Sequence, residues 1–173
     1  MRQHVLLILL CLLITVNVVL FAVYFGVFDN KPTTTRSSTL HCPVPGRYCR
    51  QGKVIKIKNQ YLGLGFNVPA DAPVTAVLAG GAFAGKVLFS DELGGQTHPS
   101  ITLKSDKGDF EVYYTYVGSL ADFRRVVKQG DELIKVQSDS LGAVSANLLI
   151  RVFRVDANKK TALPLEAKDF ASL

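Results

Sequence analysis

A chain of 173 residues has room for one domain and an attachment to it. Its formal charge of +6 is supplied by one block, Lys31, Arg36, Arg47, Arg50, Lys53, Lys56 and Lys58, which contains no acid. Tyr48 is the only aromatic residue among those charges, so nucleic acid is not an expected partner. The histidines are three and scattered (His4, His41, His98), too few to build a histidine-rich metal site easily.

After a tail of residues 1–4, residues 5–28 carry no charge and only Thr15 and Asn17 as clearly polar side chains. At about 1.5 Å per residue this run crosses a hydrocarbon layer of roughly 30 Å. The competing reading is a cleaved signal peptide, but the run is too long and no small-x-small cleavage site follows. Cys11 lacks the small residue that a lipoprotein site needs before it and reads as an apolar filler. A single transmembrane helix is expected, anchoring the protein in the cell membrane. Lys31 and Arg36 outnumber Arg2, which by charge alone favours a cytoplasmic C-terminal side. The cysteine spacing and the resemblance given below favour the opposite orientation, with residues 29–173 outside the cytoplasm.

Residues 29–52 read as a flexible basic linker, because Thr, Ser and Pro dominate its first part and leave little to bury. Within it, Cys42-Pro-Val-Pro-Gly-Arg-Tyr-Cys49 has proline and glycine between the cysteines, which favours a bend that brings the sulfurs together. A disulfide is expected in an oxidising compartment, with free thiols or a metal clip using His41 as the other readings. Arg47, Arg50, Lys53, Lys56 and Lys58 form a basic surface: a solvated face, or a contact for anionic lipid headgroups or anionic wall polymer.

From residue 53 the pattern is β. Lys53-Val-Ile-Lys-Ile-Lys58 alternates, and Leu62, Leu64 and Phe66 alternate with Gly63, Gly65 and Asn67. Pro69 and Pro73 force a corner, Val74 to Leu78 resumes a strand, and Gly80-Gly81 ends it. Strands are predicted over 82–90, 100–104, 110–117, 132–136 and 146–155, with turns at 91–95, 106–109 and 129–131. Residues 119–127 read as one short helical turn capped by Ser119, and 138–145 as a polar loop. Short strands with regular turn signals argue an all-β domain over 53–173.

Several of these residues carry a resemblance. Gly63, Pro69, Pro73, Val74, Ala76 and Gly80 stand where the lysostaphin/LytM-type zinc peptidoglycan endopeptidases have the glycine, prolines and Val-x-Ala strand of their opening motif. Tyr113-Tyr-Thr-Tyr-Val117 resembles that family's Tyr-Ala-His-Leu strand, and Val127-Lys-Gln-Gly-Asp-Glu-Leu-Ile134 its Val-Lys-x-Gly-Asp-x-Val turn. Asn147-Leu-Leu-Ile-Arg151 falls where His-Leu-His-Phe-Glu is expected, and Pro164-Leu165 closes the pattern. The resemblance spans roughly Lys53 to Phe170 and implies a barrel-sandwich or β-sandwich of short antiparallel strands.

It also implies where a zinc site would lie. The three ligand positions read Tyr61, Gly65 and Leu149, and the two further histidine positions read Tyr116 and Asn147. Gly65 and Leu149 offer no lone pair to a cation, so neither a catalytic metal nor any other cofactor is expected, and the domain reads as a degenerate, non-enzymatic relative. Tyr61, Tyr114, Tyr116 and Asn147 are the candidates to line the vacated groove and touch a ligand. Alternation puts Tyr114 and Tyr116 on one face and Tyr113 on the other, and one of those faces is core. No serine sits on a sharp elbow for a Ser-His-Asp triad, and Gly63-Leu-Gly65 lacks the rest of a dinucleotide loop. Asp91-Glu92 and Asp131-Glu132 lie at turns and read as solvated.

The expected function is therefore a non-catalytic, membrane-anchored envelope protein that binds or regulates wall hydrolases or division and morphogenesis proteins, or binds peptidoglycan itself. The alternatives are a lipoyl-like adaptor of a membrane transport complex, and a cryptic cell-wall hydrolase. Nothing in the sequence fixes an oligomeric state.

Overall fold

The computed structural model describes residues 40–90, 94–120, 124–157 and 159–171. The tail 1–4, the apolar run 5–28 with Cys11, the spacer up to residue 39, and Asp91-Glu92 lie outside the described residues. Among the described residues no helix is long and apolar enough to cross a membrane.

Alternating side chains turn most of the described chain into strands, nearly all paired antiparallel. In chain order they are β1 (Leu40–His41), β2 (Lys53–Ile57), β3 (Gln60–Phe66), β4 (Pro73–Thr75), β5 (Gly80–Leu88), β6 (Thr97–Ser105), β7 (Phe110–Tyr116), β8 (Arg124–Val127), β9 (Glu132–Lys135), β10 (Leu148–Asp156), β11 (Lys159–Leu163) and β12 (Phe170–Ala171). One helical turn, α1 (Gly46–Cys49), and a 3-10 turn over Ala167–Asp169 accompany them. Eight strands make one sheet in the order β2-β3-β10-β7-β6-β5-β8, with β11 paired to β10. β4 with β9 and β1 with β12 make two small ribbons, the second of them parallel.

Local chemistry fixes the corners. Lys58 and Asn59 take φ of 46° and 65°, the left-handed pair that matches a two-residue hairpin to strand twist. Gly80 lies so close to β6 that an added Cβ would stand 1.8 Å from the Lys104 carbonyl oxygen, which excludes any other residue there.

The large sheet has two unequal faces. On the first, Leu64, Phe66, Ile101, Leu103, Val112, Tyr114, Tyr116, Leu148, Ile150 and Val152 form the main core with Val74 and Ile134 of one ribbon and Phe170 of the other. Each buried aliphatic or aromatic side chain contributes about 1.5–3 kcal/mol, so this layer dominates the fold. On the second face, Phe89, Leu141, Val144, Ala146 and Leu149 form a smaller cluster with Ile55, Leu62 and Val117 around it. The layer opposite the sheet is thus a pair of short ribbons rather than a second full sheet.

Several sequence expectations change. The linker expected over 29–52 folds into the domain from Leu40 onward: Cys42, Val44 and Cys49 are core residues, and a Cys42–Cys49 disulfide joins them with Cα atoms 6.0 Å apart. Gly80-Gly81 opens β5 instead of ending a strand. Of the helical turn expected over 119–127, residues 124–127 form strand β8 instead, since Arg124-Arg-Val-Val127 finds an open edge of β5 to pair with. Leu62 does not share a face with Leu64 and Phe66: Ile55 pairs with Gly63 but Lys56 with Tyr61, so Leu62 is the extra residue of a bulge and turns into the second cluster. The loop over 138–145, expected to be polar, buries Leu141 and Val144.

Candidate functional site

Residues paired directly across strands share a face, so register decides which candidates meet. Gly65 of β3 pairs with Leu149 of β10, Leu149 with Thr115 of β7, and Thr115 with Ser100 of β6. Two of the five expected site positions, Gly65 and Leu149, therefore lie side by side on the second face. Tyr116 does not join them. It pairs with Leu148, points into the main core on the first face, and donates its hydroxyl to the Ser119 carbonyl (3.1 Å). The neighbour that register brings to Leu149 is Thr115, one residue away from the position that motif alignment selects.

Packing occupies the space between Gly65 and its surroundings. A Cβ at Gly65 would stand 2.8 Å from Ile55 Cγ1 and 2.9 Å from Ala146 Cβ, while Leu149 belongs to the cluster with Leu141, Val144 and Phe89. Neither residue carries a donor atom, and apolar side chains surround both, so this pair does not fit a zinc ion. Among the described residues no three His, Cys, Asp or Glu side chains converge in a metal-holding group.

The remaining candidates serve the scaffold. Asn147 is buried: its Oδ1 accepts from the Val68 N–H (3.0 Å), and its Nδ2 donates to the carbonyls of Val68 (2.7 Å) and Gln137 (2.9 Å). Tyr114 is wholly buried and its hydroxyl accepts from the Val77 N–H (2.9 Å); burial pushes its ionisation far above the ordinary tyrosine value. Ligand contact by Tyr114, Tyr116 and Asn147 is therefore corrected: all three are sealed from solvent with polar atoms engaged inside the domain. Tyr61 is half-buried, accepts from the Leu165 N–H (3.0 Å) and is likewise shifted upward, chiefly by burial. The basic residues Arg47, Arg50, Lys53, Lys56 and Lys58 are all exposed. Lys53 and Lys56 stand on β2, the outer strand of the sheet, where lysines discourage pairing with another chain.

The polar chemistry of the domain gathers elsewhere on the second face, beyond the apolar cluster. Glu111 of β7 is buried, accepts from Tyr113 Oη (2.7 Å) and Lys160 Nζ (2.6 Å), and has Lys104 Nζ at 3.5 Å. Burial alone would raise its carboxyl, but the hydrogen bonds from Lys160 and Tyr113 and the two ammonium charges outweigh it and hold it below the ordinary value. Arg151 pairs with Tyr113, lays its stem over Gly63 (Cγ 2.9 Å from an added Cβ) and places its guanidinium carbon 5.7 Å from the Tyr113 ring centroid. Phe153 meets the same ring edge-on at 5.3 Å.

Among the described residues, three buried polar atoms find no partner: His98 Nε2, Thr115 Oγ1 and Arg151 Nε. Register sets them on one diagonal of the second face, across β6, β7 and β10. The His98 ring meets that of Phe89 at a tilt of 57° with centroids 4.9 Å apart, and burial lowers its pKa below the ordinary value. Sequence reasoning passed over Glu111, Thr115 and Arg151. The available signal was a charged residue in the middle of an apolar strand, Phe110-Glu-Val112 and Ile150-Arg-Val152, where a charge needs a specific partner.

No family model matches the chain, and no curated protein matches it. Solved structures do match. The solution structure of lysostaphin is 19% identical with a TM-score of 0.45, covering 70% of this chain and 51% of that one. The catalytic domain of the antimicrobial peptidase lysostaphin from Staphylococcus simulans, crystallized in the absence of phosphate, is 20% identical with a TM-score of 0.39, covering 70% of this chain and 94% of that one. The chain thus spans about half the length of the first of these structures.

Proposed function

We propose that this chain is a non-catalytic, membrane-anchored protein of the cell envelope whose β domain binds or regulates another envelope protein, such as a wall hydrolase or a component of a division or morphogenesis complex. The observation that carries the reading is the Gly65 and Leu149 pair. Two of the three positions that would supply metal ligands in a LytM-type peptidase lie adjacent, without donor atoms, packed by Ile55 and Ala146, and the third, Tyr61, has its hydroxyl on the Leu165 N–H. The motif resemblance from Lys53 to Phe170 supplies the envelope setting, and the uncharged run 5–28 supplies the anchor. The buried Cys42–Cys49 bridge supports an oxidising compartment for the domain.

The test is crosslinking of the full-length protein in cells, followed by mass spectrometry, alongside metal analysis of the purified protein. Enrichment of wall hydrolases or of division and morphogenesis proteins supports the reading. Enrichment of a transporter replaces it with the adaptor role, and recovery of wall fragments alone reduces it to a peptidoglycan binder. Zinc near one per chain, or clearance of purified wall that a chelator abolishes, overturns it in favour of a hydrolase.

A further inference from the structure

Beyond the apolar cluster, the second face of the sheet presents cations laid over aromatic rings. One row crosses five strands through the direct pairs of Arg124 with Phe83, Phe83 with Thr102, Thr102 with Tyr113 and Tyr113 with Arg151. At its two ends the guanidinium carbons lie 5.1 Å from the Phe83 ring centroid and 5.7 Å from that of Tyr113. Lys104 and Lys160 stand beside the row with about half of each side chain exposed. Glu111, the carboxylate these lysines share, is already held by both of them and by Tyr113. Arg151 is half-buried and its Nε has no partner among the described residues.

Glu111 shows how this face satisfies a carboxylate, with a phenol hydroxyl and an ammonium group on its oxygens. Arg151 offers a better receptor of the same kind, since a guanidinium fork meets a carboxylate through two parallel hydrogen bonds and loses little orientation in doing so. Its stem is fixed over Gly63 and its plane is held by Tyr113. A half-buried guanidinium whose Nε has no partner among the described residues is costly, and an incoming carboxylate lowers that cost.

We propose that this face docks an extended acidic polypeptide segment, one carboxylate bound by Arg151 and a second by Arg124, with the chain between them lying on Phe83 and Tyr113. The inference rests on the reading of the domain as a binding module and gives its partner a chemistry. The geometry also sets a spacing. Four inter-strand steps of about 4.8 Å separate the two arginines by roughly 19 Å, and an extended chain rises about 3.3 Å per residue, so the two acids stand about six residues apart. An even spacing puts both on one side of an extended segment.

The experiment uses the full-length protein in nanodiscs and a fluorescein-labelled peptide with two glutamates about six residues apart in a Gly/Ser background, read by fluorescence polarisation. Binding should weaken about tenfold or more in Arg151→Gln and fall similarly when the peptide glutamates become glutamines. Arg151→Lys, which keeps the charge and stem but loses the fork, guards against a folding defect and should also weaken binding. Arg50→Gln, on a different element, should leave it unchanged. Equal binding of the glutamine peptide, equal loss in Arg50→Gln, or tighter binding of polyphosphate or an oligonucleotide than of the acidic peptide would overturn the proposal. A crosslinked partner whose binding survives Arg151→Gln overturns this docking face and leaves the binding-module reading standing.

Discussion

Asn147 spends its whole side chain on main-chain groups, holding Val68 from both sides and closing Gln137. Its removal leaves three buried or part-buried backbone groups unpaired, and each such group costs about 1–3 kcal/mol. Asn147→Ala should therefore lose about 3 kcal/mol in urea unfolding of the purified protein. Asn147→His, the residue the motif resemblance implies at this position, should also destabilise and should not confer zinc binding, because Gly65 and Leu149 lack donors. A wild-type unfolding midpoint for either variant would contradict this account. The sequence made the position of Asn147 legible through the motif, but its job depends on Val68 and Gln137, which only the fold brings near. Alternation likewise told which tyrosines share a face. It did not tell that Thr115, not Tyr116, stands beside Leu149, because pairing register is a tertiary fact that a motif alignment does not contain.

Strand β7 shows how one element serves two faces. Val112, Tyr114 and Tyr116 fill the main core, while Glu111, Tyr113 and Thr115 build the polar side. The depressed carboxyl of Glu111 gives the strand a pH signature. A group whose folded ionisation lies below its ordinary value of 4.5 contributes stability at higher pH and loses it as pH falls through the folded value. Stability should accordingly drop below about pH 4.5, and Glu111→Gln should flatten that limb while costing about 1 kcal/mol near neutrality. Thermal melts of both proteins between pH 3 and pH 7, roughly the range that brackets carboxylate titration, check this; parallel curves would remove Glu111 as the cause. Element type was legible for β7 and β10, whose long alternation leaves one choice. β8 was misread because a four-residue run has no period of its own, and only the open edge of β5 makes Arg124-Arg-Val-Val127 extended.

On the scale of the molecule, the chain's first and last described strands lie side by side: Leu40 pairs with Phe170 and His41 with Ala171. The Cys42–Cys49 bridge begins one residue later and is buried in the same core as Phe170. Replacing both cysteines with serine should lower stability by about 2–3 kcal/mol and expose Leu40 and Phe170 to hydrogen exchange before the large sheet opens. Loss of protection everywhere at once would instead make the bridge part of the global unit. The bridge was legible from proline and glycine between the cysteines, whereas the ribbon was not, since two-residue strands carry no pattern. The arrangement has a mechanical corollary. Tension applied through the polypeptide ahead of Leu40 peels only two residues before it meets a covalent bond. From there it passes to Cys49 and the packed interior, so a pull on Leu40 reaches the domain as a pull on a solid handle rather than as an unravelling thread.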